Sequence, residues 1–257
     1  MASRPGSALV TGAARRVGRA LALELGRLGY AVAVHYRRSA EDAAETVAAI
    51  RAAGGTAEAF DADLAREAEV RTLVPRVSEA LGPLTCLVNN ASRFERDEPG
   101  STTRASWDAH LETNLRAPFV LIQDMAAALP SRTPTAANVV NLLDQRVWRL
   151  TPHFTSYTVS KVGLWGLTQS LALALAPRVR VNAIGPGPAL PSARQSAAQF
   201  DAQCAGLPLR RGTTPDEIAA ALRFILATPS LTGQMIALDG GQHLGWSFPA
   251  LDRQPDE

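Results

Sequence analysis

The chain has 257 residues, of which 46% are hydrophobic and 19% are charged, with a formal net charge of +2. This length and composition are typical of one large globular domain with a substantial core. The Lys and Arg residues are spread along the chain and no apolar stretch could span a bilayer, so we expect neither a nucleic-acid nor a membrane partner. Cys86 and Cys204 lack metal-ligand spacing and no signal peptide is evident, so we expect a cytoplasmic protein without a metal.

Short β-rich runs alternate along the chain with longer stretches rich in Ala, Leu and Arg. The short runs predict strands at 8–11, 31–36, 56–61, 84–89, 138–143, 180–184 and 234–238. The longer stretches predict helices at 17–28, 40–53, 67–81, 106–129, 154–176 and 215–227, with Gly or Pro at most boundaries. This alternation predicts one α/β domain, a doubly wound parallel sheet of about seven strands with helices on both faces.

The predicted domain has a cofactor half at about 7–135, a catalytic and substrate half at about 136–246, and a polar tail at 247–257. In the first half, the turn at 11–18 (Thr-Gly-Ala-Ala-Arg-Arg-Val-Gly) follows the first strand and opens the first helix. Its glycines permit a sharp exit from the strand and close packing of the helix, and free N–H groups at the helix start can hold a pyrophosphate. We therefore predict dinucleotide contacts at Gly12, Arg15, Arg16, Val17 and Gly18.

The end of the second strand indicates which dinucleotide is bound. A site for NAD normally places Asp or Glu about 20 residues past the glycines, whereas residues 35–39 read His-Tyr-Arg-Arg-Ser. Guanidinium and hydroxyl groups bind a 2′-phosphate well, so Arg37, Arg38 and Ser39 together predict NADP(H), although either arginine alone is also compatible with solvation of a strand end. His35 either contacts the adenosine phosphate or caps the strand end.

Asp63 and Leu64 follow the third strand, at the same predicted edge of the sheet. These two residues are candidates to flank the adenine ring of the dinucleotide. Asp63 is equally suited to be the N-cap of the helix at 67–81, and the sequence leaves both interpretations open.

Tyr157 and Lys161 are four residues apart in the predicted helix 154–176, which puts both side chains on one face. A nearby cation favours the ionised phenol and lowers the pKa of the tyrosine, so that it can exchange protons near neutral pH. Asp144 stands at the end of the strand 138–143, thirteen residues before Tyr157, where an isolated aspartate is often only a turn residue. Together with the dinucleotide turn, Tyr157 and Lys161 indicate a nicotinamide-dependent reductase.

Several motifs occur in a fixed order along nearly the entire chain: residues 11–18, Asn89-Asn90-Ala91-Ser92, Asn114, Tyr157-x-x-x-Lys161 and Pro186-Gly187-Pro188. In these residues the chain resembles the short-chain dehydrogenase/reductase family, which implies a Rossmann fold and hydride transfer. Asp144 stands where ordinary members carry a serine. In Asp144, in Arg15 and Arg16, and in the segment 35–39, the chain resembles the pteridine reductase and dihydromonapterin reductase branch of this family.

The resemblance implies roles for individual residues. Asp144, Tyr157 and Lys161 would be catalytic, and Asn114 would steady Lys161 through a water. Implied cofactor contacts, beyond the turn and the second strand, are Asp63, Leu64, Asn90, Ala91, Ser92, Tyr157, Lys161, Pro186 and Gly187. Implied substrate contacts are Arg16, Ser92, Phe94, Asp144 and Tyr157, with Phe94 either stacked on a pterin or serving only in packing.

An aspartate at position 144 favours one kind of acceptor. An ionised carboxylate cannot donate a hydrogen bond to the alkoxide that forms on a ketone, whereas reduction of a C=N bond needs a proton on nitrogen. We therefore expect an NADPH-dependent reductase of a dihydropterin-type substrate (pteridine, dihydromonapterin or dihydrofolate), with a proton relay through Tyr157 and Asp144. The alternatives are a ketoreductase acting on 3-oxoacyl or sugar and alcohol substrates, and a non-catalytic NADP(H)-binding regulator, which the presence of both Tyr157 and Lys161 disfavours.

Two further expectations concern the outer parts of the domain. Family members of this kind are usually tetramers, which implies a homotetramer built on the helices 106–129 and 154–176. The segment 188–212 holds few large apolar residues and is expected to include a short helix that closes over the substrate.

Overall fold

A computed structural model describes residues 5–129, 137–192 and 194–245, so the predicted tail at 247–257 lies outside the described residues. The strands are β1 (Ser7–Val10), β2 (Ala31–Tyr36), β3 (Thr56–Asp61), β4 (Leu84–Asn89), β5 (Ala137–Leu142), β6 (Val179–Pro186) and β7 (Met235–Leu238). The helices are α1 (Arg16–Arg27), α2 (Ala40–Ala52), α3 (Glu67–Leu81), α4 (Arg104–Leu111), α5 (Ala117–Ala128), α6 (Thr155–Ala174), α7 (Ala197–Ala205) and α8 (Pro215–Ala227). Helix α7 is the short helix expected within the segment 188–212.

The strands form one seven-stranded sheet in the order β3-β2-β1-β4-β5-β6-β7, and every pairing is parallel. The chain moves outward from β1 to β3 and then returns to place β4 on the other side of β1. This reversal of strand order opens a crevice at the carboxyl ends of β1 and β4, where ligands bind in folds of this type. The predicted doubly wound α/β fold is confirmed.

Both faces of the sheet are covered by helices, which explains why its central strands read as continuous apolar runs. Helices α1, α2 and α8 pack on one face, where Leu21, Ile50 and Leu222 are buried. Helices α3, α5 and α6 cover the other face, where Leu73 and Leu121 are fully buried. No helix in the described ranges is both long enough and apolar enough to cross a membrane.

The prediction of one continuous α-helix at 106–129 is wrong in its middle. Helix α4 begins earlier, after the N-cap Thr103, and a π-helical turn over Glu112–Arg116 separates it from α5. Pro118, in the first turn of α5, has no N–H and its ring cannot pack against the carbonyl group four residues earlier. A wider turn accommodates the proline, and such π-turns are frequent at functional sites. Asn114, in the middle of this turn, is buried.

Gly18 shows how closely α1 packs on the turn after β1. A Cβ added to Gly18 would lie 2.2 Å from the carbonyl oxygen of Gly12 and 2.6 Å from Asn90 Nδ2. A Cβ atom at these distances would force the backbone to shift. Glycine is therefore required at position 18, because the turn after β1 approaches the helix so closely.

We predict that Gly18→Ala lowers the free energy of unfolding by about 1–3 kcal/mol, because an added methyl group forces the backbone apart. Urea denaturation followed by circular dichroism measures this change. Gly206→Ala is the matched control, since a Cβ at Gly206 meets its nearest atom at an ordinary 3.5 Å. Equal denaturation midpoints for the two variants would contradict the prediction.

Candidate active site

Hydrogen bonds from the segment after β4 hold the turn after β1. Asn90 Nδ2 donates to the carbonyl oxygens of Thr11 at 2.8 Å and Gly12 at 3.2 Å. The Thr11 hydroxyl accepts from the backbone N–H groups of Asn90 and Ala91, both at 3.0 Å. Gly12 has a φ of 64°, which only glycine adopts readily. These contacts give the turn a defined shape at the crevice between β1 and β4.

A cavity of about 530 Å³ lies at this crevice. Its wall includes most residues predicted to contact the cofactor: Gly12, Arg15, Arg16, Val17, Gly18, His35, Arg37, Asp63, Leu64, Asn90, Ala91 and Ser92. Arg38 and Ser39 lie outside this wall. Ser39 Oγ accepts a hydrogen bond from Arg15, whose Nε also pairs with Asp42 at 3.1 Å. Arg37 therefore belongs to the cavity wall and Arg38 does not, although both residues are exposed.

His35 is buried and joins two neighbouring segments rather than facing solvent. The Gly12 N–H donates to His35 Nδ1 at 3.0 Å, so Nε2 carries the proton and donates to the Ala62 carbonyl at 3.1 Å. Burial lowers the pKa of His35 to about 4, so the imidazole is neutral at pH 7. A neutral ring holds the turn in place but brings no positive charge to a phosphate. Its predicted contact with the cofactor stays a prediction.

Asp63 is not the N-cap of α3, because that position belongs to Arg66. Asp63 Oδ1 instead accepts from the Ala65 N–H at 3.0 Å, which closes a short turn, and the Asp63 N–H donates to Glu69 Oε2 at 2.7 Å. The N-cap interpretation is therefore wrong, and Asp63 keeps its place in the cavity wall beside the buried Leu64.

Asp144 and Tyr157 are in contact. The phenol Oη donates to Asp144 Oδ2 at 3.0 Å, although thirteen residues separate the two. Tyr157 is 6% exposed. Asp144 also caps the 3₁₀ turn Gln145–Val147, since its Oδ1 accepts from the Arg146 N–H at 2.8 Å. Asp144 is thus both a turn residue and a partner of the phenol, so the two interpretations of the sequence are compatible.

A second cavity, of about 220 Å³, adjoins the first, and Arg16, Val17 and Phe94 belong to both walls. Asp144 lies in the second wall, together with the predicted Pro186 and Gly187. Ser92 lines only the first cavity. Tyr157 and Lys161 are not among the described residues of either wall, so their predicted ligand contacts stay predictions, although Tyr157 bonds to Asp144 in the second wall. The arrangement has one large site and one smaller site that meet beside the Asp144–Tyr157 pair.

Lys161 is the only lysine among the 257 residues, and it is 2% exposed. Its Nζ donates to the Leu142 carbonyl at 2.7 Å and lies 5.8 Å from the centroid of the Tyr157 ring. Burial lowers the pKa of Lys161 to about 8, and the charge of Asp144 partly offsets this effect. At neutral pH a cation is therefore held one helical turn from the phenol, as the spacing predicts.

Asn114 lies beside α6, and its side chain bonds to Arg93 and Ser160. Its Oδ1 accepts from the Arg93 N–H at 2.7 Å, and its Nδ2 donates to the Arg93 carbonyl at 2.9 Å and to Ser160 Oγ at 3.0 Å. Asn114 therefore ties the segment after β4 to α6. The water link to Lys161 remains a prediction.

Phe94 packs against two aromatic residues at the start of α6. Its ring stacks on Phe154 with centroids 4.6 Å apart at 13°, and meets Tyr157 edge-on at 4.6 Å. Phe94 also belongs to the walls of both cavities. Packing is therefore present, and stacking on a substrate remains a prediction.

Two arginines near the pair were missed by the sequence analysis. Arg146 is 4% exposed, and its Nε donates to Asp144 Oδ2 at 3.2 Å. Arg194 lies over the Phe94 ring at 5.1 Å. An aspartate side chain often accepts from the backbone N–H two residues later and so caps a turn. Arg146 stands two residues after Asp144, so the sequence contains a signal that places Arg146 next to Asp144. Nothing local indicates Arg194, which is 100 residues away from Phe94.

Comparisons with known proteins agree with this geometry. The family model described as enoyl-(acyl carrier protein) reductase matches residues 12–243. The FolM alternative dihydrofolate reductase 1 of Brucella canis, crystallised with NADP, is 46% identical, with a TM-score of 0.91 covering 96% of this chain and 98% of that one. A short-chain dehydrogenase of Burkholderia cenocepacia, also crystallised with NADP, is 35% identical, with a TM-score of 0.86 and coverage of 93% and 98%.

A second group of relatives has another name. The 3-oxoacyl-(acyl-carrier-protein) reductase FabG of Staphylococcus epidermidis is 32% identical over 243 residues, which are 93% of this chain and 99% of that protein. The region matched by the family model, residues 12–243, contains Asp144, Tyr157 and Lys161. On this evidence the chain belongs to the short-chain dehydrogenase/reductase family of oxidoreductases.

Proposed function

We propose that this protein is an NADPH-dependent reductase that transfers hydride to a C=N bond of a dihydropterin-type substrate, such as a pteridine, dihydromonapterin or dihydrofolate. The observation that carries the proposal is the 3.0 Å hydrogen bond from Tyr157 Oη to Asp144 Oδ2 at the edge of the second cavity. The 46% identity to a protein named alternative dihydrofolate reductase supports it.

The residues of the larger cavity fit an NADP cofactor. The absence of side chains at Gly12 and Gly18 leaves backbone at the start of α1, where the helix dipole favours a phosphate. Arg15, Arg16 and Arg37 add positive charge to the wall, and the segment 35–39 has no carboxylate to repel a 2′-phosphate. When bound, NADPH supplies the hydride.

The chain's own residues supply the proton, stabilise the group that loses it and align the substrate. The Tyr157 O–H group donates to Asp144 Oδ2 across 3.0 Å. Its proton passes to a substrate nitrogen as the adjacent carbon accepts hydride, and water reprotonates the phenolate through Asp144. The Lys161 cation beside the Tyr157 ring stabilises negative charge on the phenol after the proton has left. Phe94 offers a flat apolar surface at the junction of the cavities, where it would align a planar ring.

A ketoreductase acting on 3-oxoacyl substrates is the second candidate, and the similarity to FabG favours it. A carboxylate next to a developing alkoxide is unfavourable. Arg146 Nε, however, lies 3.2 Å from Asp144 Oδ2 and offsets part of that negative charge. Direct comparison of the two substrate classes is therefore the appropriate test.

We also propose that the protein assembles as a homotetramer through its helices. An apolar groove of about 340 Å³ lies on the π-turn, α5 and α6, lined by Leu111, Leu115, Arg116, Phe119, Gly163 and Leu167. Val159 and Val162 of α6 are 41% and 38% exposed. A second copy of the chain would cover this apolar surface, and light scattering after gel filtration measures the assembly.

We predict that Asp144→Ser lowers turnover of 7,8-dihydrobiopterin by about a hundredfold or more, because the Asp144–Tyr157 pair that supplies the proton is lost. Turnover of a 3-oxoacyl thioester should not fall and should rise if it is low in the unsubstituted enzyme, since a serine hydroxyl can donate to an alkoxide. NADPH oxidation at 340 nm measures both reactions, and Asp216→Ser, an exposed change on α8, is the control. Undiminished dihydropterin turnover in Asp144→Ser would refute the role of Asp144.

We predict that Arg37→Glu raises the KM for NADPH by about tenfold or more and narrows the preference for NADPH over NADH, because a carboxylate repels the 2′-phosphate. Arg38→Glu makes the same change of charge outside the cavity wall and should have a smaller effect. Steady-state kinetics with both dinucleotides gives the comparison. A larger effect at Arg38 would show that the 2′-phosphate lies elsewhere.

We predict that the single lysine titrates with a pKa of about 8 in the free enzyme, because burial disfavours its charge. A lowered pKa means that the cation is lost at lower pH than in water, so kcat/KM should fall as pH rises through about 8. Lysine labelled with ¹³C at Cε gives one resonance, whose shift against pH measures the pKa directly. The urea-unfolded chain is the reference, and a folded-state value near 10.5 would contradict the prediction.

A further inference from the structure

Arg146 is a buried cation in the wall of the second cavity, and the chemistry proposed above assigns it no step. Its backbone N–H donates to Asp144 Oδ1 at 2.8 Å, and its side-chain Nε donates to Asp144 Oδ2 at 3.2 Å. One residue therefore holds both oxygens of the carboxylate. Two contacts on different oxygens restrict rotation of the carboxyl group, which a single contact would not do.

The guanidinium group is itself held on several sides. Its central carbon lies 5.3 Å from the ring centroids of Phe154 and Tyr157 and 5.7 Å from that of Phe94. Its Nη1 donates to Thr151 Oγ1 at 3.3 Å. A buried charge is costly unless it is paired, and here a carboxylate, a hydroxyl and three aromatic rings surround it. The position of the guanidinium is thus set independently of any ligand.

Asp144 Oδ2 is the oxygen on which these contacts converge. It accepts from Arg146 Nε and also from Tyr157 Oη at 3.0 Å. A rotation of the carboxyl group would break both bonds together with the bond from the Arg146 N–H. If the guanidinium were removed, two of these three donors to Asp144 would remain, namely the Arg146 backbone N–H and the Tyr157 phenol.

We propose that Arg146 is a positioning residue that fixes Asp144 with Oδ2 aimed at the Tyr157 hydroxyl. This inference rests on the proposed function, because it matters only if the Asp144–Tyr157 pair handles a proton of the reaction. Arg146 acts through Asp144, so its contribution to turnover depends on the carboxylate being present.

Arg194 provides a matched comparison within the same cluster. Its guanidinium carbon lies 5.1 Å from the Phe94 ring and 5.8 Å from the Phe154 ring, and its Nη1 donates to the Phe94 carbonyl at 3.2 Å. Arg194 thus shares two aromatic partners with Arg146 but is bonded to backbone instead of the carboxylate. A substitution of Arg194 reports what the ring contacts contribute.

The test is a double-mutant cycle between Arg146 and Asp144, with 7,8-dihydrobiopterin as the probe. Arg146→Gln should lower kcat by about tenfold to a hundredfold in the native background, as expected for loss of a charged hydrogen bond. In the Asp144→Ser background the same change should alter kcat less than about threefold. Arg194→Gln should have the same effect in both backgrounds. NADPH affinity, from fluorescence titration, should change less than about twofold in Arg146→Gln.

Equal losses from Arg146→Gln in the two backgrounds would overturn the proposal and assign Arg146 to holding the rings. An unchanged kcat in Arg146→Gln would overturn it as well. Thermal denaturation checks that each variant is folded, and Arg146→Lys, which keeps the charge and most of the stem, supplies the same cycle if the glutamine variant does not fold. Failure of the proposed function looks different, because the unsubstituted enzyme would then not oxidise NADPH with the dihydropterin.

Discussion

The position of α6 on the sheet is the constraint on which the rest of the candidate site depends. A chain of buried amides crosses from β4 to β5 and on to α6: Asn89 Nδ2 donates to Asn141 Oδ1 at 2.8 Å, and Asn141 Nδ2 donates to Thr168 Oγ1 at 2.9 Å. About two helical turns closer to the start of α6, Lys161 Nζ bonds to the Leu142 carbonyl. Because β5 ends at Leu142, these bonds bring Tyr157 close to Asp144, which is the second residue after the strand.

The start of α6 is stabilised by a residue from a distant part of the chain. Phe154 precedes the helix in a left-handed conformation with a φ of 58° and provides no side-chain cap. Asp97 supplies it, since its Oδ1 accepts from the Ser156 N–H at 3.1 Å and its backbone carbonyl accepts from the Thr155 N–H at 3.1 Å. The segment that carries Phe94 therefore also caps α6. This shared segment explains why the Phe94 ring contacts the rings of Phe154 and Tyr157.

Arg16 joins the two cavities. Its guanidinium donates to the carbonyl oxygens of Leu190 at 3.3 Å and Pro191 at 3.0 Å, so the turn after β1 contacts the segment after β6. The residue adopts a positive φ of 54°, in the place where a glycine is usual in such turns. Strain at a non-glycine residue of this kind is typical of functional sites. A cofactor and a substrate bound in the two cavities would meet at this side chain.

The fold could be predicted from the sequence because its signals are local: apolar runs of strand length, glycines at turns, and the spacing of Tyr157 and Lys161 along one helix. The π-turn at Asn114 could not, since its cause, Pro118, is tolerated near the start of ordinary helices as well. Similarly, the sequence predicted NADP(H) because the segment 35–39 at the end of the second strand has no carboxylate. It did not distinguish the role of Arg37 from that of Arg38. That distinction depends on which side chain faces the cavity.

The amino-acid sequence by itself determined the order of strands and helices, the glycine turn and the identity of the residues at the edge of the sheet that forms the candidate site. Only the tertiary structure decided which of those residues touch, because the contacts join segments that are far apart in the chain. Asp97 caps a helix 59 residues away, Arg194 bonds to a residue 100 positions away, and Arg146 is buried by aromatic rings from two other segments. Local patterns carry no information about such contacts, since the contacts form only when β4, β5 and β6 bring their carboxyl ends to one edge of the sheet.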